Sequence, residues 1–249
     1  MPKKIPVAIW ALAFIALAGP VLASDVEMSQ AEGHPRDRFP LAIYLAPIAD
    51  AKLAAAVRRS VDDWNSVFSK VLGLTAFRPV ASPSAAGVIV ALASTSTPGM
   101  MGVTEIGADA HGVIELPVRI TLVEPTVRGQ TPAETLLYEV AAHELGHALG
   151  LPHTVDPRSV MCCVSGSVDF KDPAMRKAYV EARRNPDLRS VEGQLLAHYK
   201  TFWGGRQLRS GIGRRPSRFA TIPAPGNGAW EWAPRELSVP HSVAKHEWF

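Results

Sequence analysis

The sequence predicts an α+β fold, because several short strand-like segments and two long helical segments share one chain. The clearest helical segment has apolar residues along one helix face from Leu53 to Val71, after a capping Asp50 and before a terminating Gly73. The composition is that of a globular protein, with 47% hydrophobic and 20% charged residues among 249. Disordered and collagen-like chains are therefore excluded, and a formal net charge of +3 is too small to indicate a nucleic-acid partner.

Residues 1–23 are predicted to be a secretory signal peptide. Two lysines precede an uncharged apolar run that ends in small residues at Ala23. An uncleaved membrane anchor is the alternative, but the pair Gly19-Pro20 would break such a helix near its end. We therefore expect cleavage before Ser24 and a secreted protein, extracellular or periplasmic, with no stable membrane insertion.

Five segments of the mature chain are predicted as strands, because each combines β-branched or alternating apolar residues with flanking turn residues. These segments are residues 39–45, 76–80, 88–92, 102–106 and 113–123. A second long helix is predicted to begin with Thr131 as N-cap, Pro132 in the first helical position and Glu134 completing a capping box. It ends near Leu149, and a further amphipathic helix is predicted over residues 191–202.

The mature chain divides by composition into three parts. Residues 24–38 form a short polar segment that is too small for a folded domain, and residues 39–204 contain the predicted strands and helices. Residues 205–249 are rich in Gly, Pro, Arg and Ser and are predicted to be a basic, flexible tail. Contact of this tail with an anionic surface is the less common alternative for such a composition.

The second long helix carries the residues that predict the chemistry. His143 and His147 are four residues apart, so both imidazoles leave one helix face and can bind one tetrahedral Zn²⁺ ion. Gly150 is predicted to end the helix in a left-handed turn, which brings His153 back as the third ligand. Three protein ligands leave one position open for water or substrate, as in catalytic zinc sites. Glu144 is one step round the helix, where it can act as a general base without binding the metal.

The run His143-Glu144-Leu145-Gly146-His147-Ala148-Leu149-Gly150-Leu151-Pro152-His153 resembles the extended zinc-binding motif of the metzincin peptidases. Ser159-Val160-Met161 is similar to the methionine turn of that family, and Thr154 directly after the third histidine is most similar to the matrixin branch. The resemblance implies a zincin-like α+β fold with a mixed twisted sheet, an edge strand over the cleft, a long metal-binding helix and a C-terminal helix. It assigns the edge strand to residues 102–106 and the floor of the zinc site to Met161.

The resemblance also implies a secreted zinc endopeptidase that binds one catalytic Zn²⁺ ion through His143, His147 and His153. Glu144 would activate the water that attacks the peptide bond. A polypeptide in extended conformation would be the substrate, because it can pair with the edge strand through main-chain hydrogen bonds. Two other functions stay open: a zinc-containing peptide-binding module without turnover, and a zinc hydrolase of a small amide or of cell-wall peptide. Glu144 favours turnover, since a binding module needs no base beside the water.

Cys162 and Cys163 are the only cysteines in the sequence and allow three interpretations. They are small buried residues, form a vicinal disulfide, or supply a thiolate to the metal that would keep the enzyme latent. No cysteine lies between Ser24 and Glu134, so the pro-segment thiol of secreted animal matrixins is missing. Cys163 also stands where some metzincins have a tyrosine that assists at the zinc, and a thiol cannot replace a phenol.

Three further residues are weaker candidates for metal binding. Asp109 and His111 offer too few oxygen ligands for a calcium ion, so we expect a solvated loop there. His198 is expected to be a packed or surface histidine on the last helix. The specificity pocket is expected between Met161 and Arg189, where the sequence has no pattern that identifies a substrate.

Overall fold

A computed structural model describes residues 28, 29, 31–94, 101–126 and 131–210, with side chains described as far as Gly205. The predicted signal peptide and most of the predicted tail lie outside the described residues. Within the described part of the chain, no helix is both long and apolar enough to cross a membrane.

A five-stranded mixed sheet forms one layer of the fold. Its strands are β1 (Leu41–Leu45), β2 (Phe77–Pro79), β3 (Val88–Ala93), β4 (Gly102–Glu105) and β5 (Val118–Val123). The order across the sheet is β2-β1-β3-β5-β4, with parallel pairing throughout except between β4 and β5, which are antiparallel. The predicted mixed sheet is confirmed, and β4 is an edge strand as expected.

The last strand is shorter than the 113–123 predicted from the sequence. Pro117 directly precedes β5 and has no N–H group to donate to a neighbouring strand, which limits the regular ladder. Val113 and Ile114 instead form isolated bridges, to Gly33 and Ala108 respectively. The segment before β1 is thereby attached to the fold, with Gly33 donating to the Gly112 carbonyl at 2.9 Å.

Helix α1 (Ala51–Leu72) forms as its sequence predicts. The Asp50 side chain accepts hydrogen bonds from the main-chain N–H groups of Lys52 and Leu53, and Gly73 ends the helix with a φ of 69°. One face is buried against the rest of the core, with Leu53, Val57, Val61, Trp64 and Phe68 among the buried residues. The Trp64 indole donates to the Ala142 carbonyl at 2.8 Å, which fastens α1 to the helix that carries the histidines.

Helix α2 (Ala133–Ala148) begins one residue later than a helix capped by Thr131 would. Pro132 is itself the N-cap residue, with a ψ of 150°, and no side chain caps the helix. The predicted capping box is therefore wrong, because Glu134 is in the second helical position rather than the third. The other end is as predicted: Gly150 has a φ of 92°, and the chain turns back there.

Two more helices complete the described chain. Helix α3 (Pro173–Arg184) lies in the stretch where the sequence showed no pattern, and Arg183 is its one buried residue. Its start carries ordinary signals, since the Asp172 side chain accepts from Ala174 N and proline follows the cap. Helix α4 (Glu192–Ser210) matches the predicted final helix but continues to Ser210, six residues into the segment predicted as a tail.

Candidate metal centre

The structure brings the three predicted histidines together. The Nε2 atoms are 3.0 Å apart for His143 and His147, 3.0 Å for His143 and His153, and 3.1 Å for His147 and His153. Two nitrogens bound to one tetrahedral Zn²⁺ ion at about 2.0–2.1 Å are about 3.3–3.4 Å apart. The three rings therefore converge at the spacing that one small metal ion requires, and they form the group of side chains best able to hold one among the described residues.

Hydrogen bonds to the other ring nitrogens orient two of these histidines. His143 Nδ1 lies 2.8 Å from the Val160 carbonyl, and His147 Nδ1 lies 2.8 Å from the Leu151 carbonyl. A carbonyl only accepts, so each Nδ1 carries the proton and each Nε2 presents its lone pair to the centre. Burial lowers the pKa of His143 well below its ordinary value, and the nearby rings of His147 and His153 lower it further. His143 is thus held in the neutral form that binds metal.

Glu144 lies beside the three rings and is buried. The Thr104 hydroxyl of β4 donates to Glu144 Oε2, at 2.5 Å, and also lies 3.1 Å from the Glu144 main-chain carbonyl. Gly102 of the same strand leaves space for this side chain, because a Cβ there would lie 2.8 Å from Glu144 Oε1. Strand β4 therefore positions the predicted base.

A cavity of about 40 Å³ joins these groups. It has room for a small ion and water, since a cavity of about 10–15 Å³ already holds one water molecule. Met28 from the segment before β1 also reaches it, so the N-terminal part of the described chain contributes to the cleft. The lining residues are Met28, Val103, Thr104, Ile106, His143, Glu144, His147 and His153.

Residues 159–162, here called the methionine turn, lie against α2. Because α2 carries His143 and His147, it is here called the metal helix. The turn is closed by a hydrogen bond from Cys162 N to the Ser159 carbonyl at 3.0 Å, and Met161 is fully buried. A Cβ at Gly146 would collide with Met161 Sδ and would lie 3.2 Å from the Trp64 ring. Glycine between the two helical histidines thus permits the close approach of the turn.

Cys162 and Cys163 are joined as a vicinal disulfide, the second of the three interpretations. Cys162 is buried in the methionine turn, and neither sulfur belongs to the group that could hold a metal. The structure therefore does not support a thiolate on the metal.

The weaker candidates lie away from the centre. Asp109 accepts hydrogen bonds from the main-chain N–H groups of His111 and Val113, which is the arrangement of an exposed loop. His198 is largely buried on α4 and stacks against Phe202 with ring centroids 6.1 Å apart. Burial lowers the pKa of His198 to about 4, so this histidine is neutral and packed, as expected.

Sequence reasoning missed four residues that contact the site or its support: Met28, Thr104, Glu139 and Arg183. Thr104 reaches Glu144 across a sequence separation of 40 residues, so no local pattern reveals the contact. Glu139 gives the clearest available signal, because a carboxylate one turn before His143 on a largely buried helix needs a partner. That partner is Arg183 of α3, 2.6 Å away.

Comparisons with known proteins identify the family of the chain. The sequence model of the matrixin family matches residues 48–173, about half of the chain and all three histidines. A comparison with curated proteins finds no match. Among solved structures, the archaemetzincin of Methanopyrus kandleri is similar with 15% sequence identity and a TM-score of 0.37, over 70% of this chain and 99% of that one.

Proposed function

Because the chain belongs to the matrixin family of zinc metallopeptidases, we propose that it is a secreted endopeptidase with one catalytic Zn²⁺ ion. His143, His147 and His153 would hold the ion, and Glu144 would be the general base. The observation that carries the proposal is the convergence of three Nε2 atoms, all within about 3 Å of one another, beside a buried carboxylate in one small cavity.

The donor set supports zinc as the resident metal. Imidazole nitrogens are typical zinc ligands, and three of them leave an open coordination position. The two Nδ1–H groups bonded to the Val160 and Leu151 carbonyls fix the tautomers that such binding needs. When bound, zinc supplies Lewis-acid chemistry: it polarises a scissile carbonyl and lowers the pKa of a water towards about 7.

The protein's own groups would handle the proton and the substrate. Glu144 would take a proton from the attacking water and later deliver it to the departing amine. The Thr104 hydroxyl holds Oε2 of that carboxylate, so the base keeps a fixed direction during both transfers.

The edge strand supports a polypeptide substrate. Strand β4 pairs with β5 on one side, and its other edge borders the cavity through Val103 and Thr104. An extended peptide can add to such an edge through main-chain hydrogen bonds. A peptide bound along this edge can extend past the cavity on both its N-terminal and its C-terminal side. Binding by strand addition therefore favours cleavage within a chain over removal of a terminal residue.

The first experiment incubates the purified mature chain with casein and with a peptide library, with and without a zinc chelator. We expect cleavage that chelator abolishes and zinc restores. Glu144→Gln should keep its zinc and lose about 10²–10⁴-fold in turnover, the usual contribution of a positioned acid–base group. Glu134→Gln, in the first turn of the same helix, is the matched control and should cleave normally.

The same experiment separates the two alternatives. A wild-type chain that binds zinc and peptides but cleaves none is a binding module. A chain that hydrolyses small amides or cell-wall peptides but not casein is a hydrolase of a different substrate class. Secretion is tested separately, by expressing the full sequence and determining the first residue of the exported product, which we expect to be Ser24.

A further inference from the structure

A buried ion pair connects the metal helix to α3. Glu139 lies on α2 one turn before His143, and Arg183 lies near the end of α3. Arg183 Nε is 2.6 Å from Glu139 Oε1, and the two side chains are only 9% and 8% exposed. The guanidinium also lies over the Tyr179 ring, 4.6 Å from its centroid. Both charges are thus withdrawn from water and opposed to each other.

The same guanidinium binds the methionine turn from outside. Arg183 Nη1 donates to the Ser159 carbonyl at 3.3 Å, and Nη2 donates to the Cys162 carbonyl at 3.2 Å. These two carbonyls are the first and last of the turn. The two residues between them are Val160, which accepts the hydrogen bond from His143 Nδ1, and Met161, which lies against Gly146.

We propose that Arg183 is a positioning residue for the metal centre: it fixes the methionine turn to α2, so that the Val160 carbonyl orients His143 for zinc. The inference rests on the proposed function, since it assumes that His143 is a ligand. It assigns a role to α3, which the sequence did not predict.

Stability alone does not account for such a pair. Removing two charges from water costs several kcal/mol per ion, and apolar pairs of similar volume are often as stable or more so. A planar guanidinium, however, can donate from two separate nitrogens to two fixed carbonyls while its charge opposes a carboxylate. An apolar side chain has no donors, and the three donors of lysine all radiate from one nitrogen. The arrangement of one carboxylate and two carbonyls around Arg183 matches that capacity.

Two variants of the full mature chain test the proposal. Arg183→Lys keeps the charge but loses the fork of donors. The double variant Glu139→Met with Arg183→Met replaces the ion pair by apolar side chains and so preserves packing while removing both bonds to the turn. Arg184→Lys is the matched control, since it makes the same change at the next, exposed residue. The readouts are the zinc dissociation constant by chelator competition, the absorption spectrum of the Co²⁺-substituted protein, and the melting temperature of the metal-free chain.

We expect zinc affinity to fall about 10–100-fold in both variants, the usual effect of losing the support of a metal ligand. The Co²⁺ spectrum should change as well, while the metal-free double variant melts close to the wild type. Arg184→Lys should match the wild type in all three measurements. If Arg183→Lys does not fold, the double variant decides.

Wild-type zinc affinity and an unchanged Co²⁺ spectrum in the folded double variant would overturn the inference. Loss of folding in both variants would make the pair a structural support and would overturn it equally. A wild-type chain that binds no zinc is a different outcome, because it overturns the proposed function on which the inference stands.

Discussion

Two regions pack against the metal helix α2, and they differ in what they touch. Strand β4 contacts the base: Thr104 donates to Glu144, and Gly102 lies against the same side chain. The methionine turn contacts the histidine face, through the Val160 carbonyl at His143 and through Met161 at Gly146. One region thus contacts the proposed general base and the other the proposed metal ligands.

The two contacts also differ in chemistry. Strand β4 contacts Glu144 through a single hydroxyl, that of Thr104. The methionine turn is instead bound through two of its main-chain carbonyls by Arg183, which is paired with Glu139 of α2. Substitutions in β4 should therefore lower turnover without altering zinc affinity. Substitutions at the methionine turn should lower zinc affinity, with turnover of the zinc-loaded enzyme less affected.

Gly146→Ala should have the largest effect and should act on the metal. The added methyl group collides with Met161 Sδ, and overpacking a buried site costs about 1–3 kcal/mol. We expect zinc affinity to fall about 10–100-fold, measured by chelator competition. Gly193→Ala is the control, because a Cβ there meets nothing within 4 Å and alanine favours a helix. Unchanged zinc affinity in Gly146→Ala would show that the turn does not hold the ligands.

Gly102→Ala should lower turnover instead. Its Cβ would lie 2.7 Å from Val140 Cγ1 and 2.8 Å from Glu144 Oε1, so the carboxylate or the strand must move. A displacement that costs about 1.4–2 kcal/mol in the transition state reduces kcat/KM about 10–30-fold. Zinc affinity should stay within about threefold of the wild type. A loss of zinc affinity as large as that of Gly146→Ala would remove the distinction between the two regions.

Thr104→Val should have a smaller effect of the same kind. Valine preserves the shape but leaves Glu144 Oε2 without the hydroxyl donor, and a hydrogen bond to a charged group is worth about 1.5 kcal/mol or more. We expect kcat to fall about tenfold, with little change in KM or zinc content. Thr104→Ser keeps the hydroxyl and should retain most of the turnover. Equal losses in both variants would mean that the methyl group, not the hydrogen bond, matters.

His34 supports neither region and should affect stability alone. Its ring is buried, its Nε2–H donates to the Ala148 carbonyl at 2.8 Å, and burial lowers its pKa to about 4. An unfolded histidine takes up a proton below about pH 6.5, whereas folded His34 does so only near pH 4. The contribution of His34 to the free energy of unfolding is therefore complete above pH 6.5 and is lost as the pH falls towards 4. Between pH 7 and pH 5 the loss is about 2 kcal/mol.

The measurement for His34 is the unfolding free energy of the metal-free chain at both pH values. His34→Gln keeps an N–H donor without the titration, so its unfolding free energy should fall less between pH 7 and pH 5 than that of the wild type. The exposed His111→Gln should behave as the wild type does. Zinc affinity and turnover at pH 7 should be unchanged in both variants. Identical pH dependence in wild type and His34→Gln would contradict the account.

The sequence predicted the features that depend on local spacing. The i, i+4 histidines, the caps of α1 and the turn at Gly150 are all set within one or two helical turns, and each is found where expected. Local patterns suffice for these because the neighbouring residues alone determine the geometry. The five strands also agree, with β5 shorter than predicted, whereas the edge position of β4 agrees with the family resemblance rather than with a local pattern.

Features that depend on distant contacts escaped prediction. Helix α3 was not predicted, and the one residue that it buries, Arg183, is charged rather than apolar. The contacts of Arg183 with Ser159 and Cys162 span 24 and 21 residues, and the sequence alone does not specify which carboxylate completes them. The predicted capping box at Thr131 is wrong although its local sequence motif is present. Pro132 rather than Thr131 is the N-cap residue, so Glu134 is one position too early to complete the box.

The central claim is that three imidazoles hold one zinc ion beside a base that β4 positions. Anomalous diffraction at the zinc edge, on crystals of the mature chain, tests it most directly. We expect one zinc per chain, about 2.0–2.1 Å from Nε2 of His143, His147 and His153, with Glu144 outside the coordination sphere. An absent ion, or one whose ligands do not include all three rings, would contradict it.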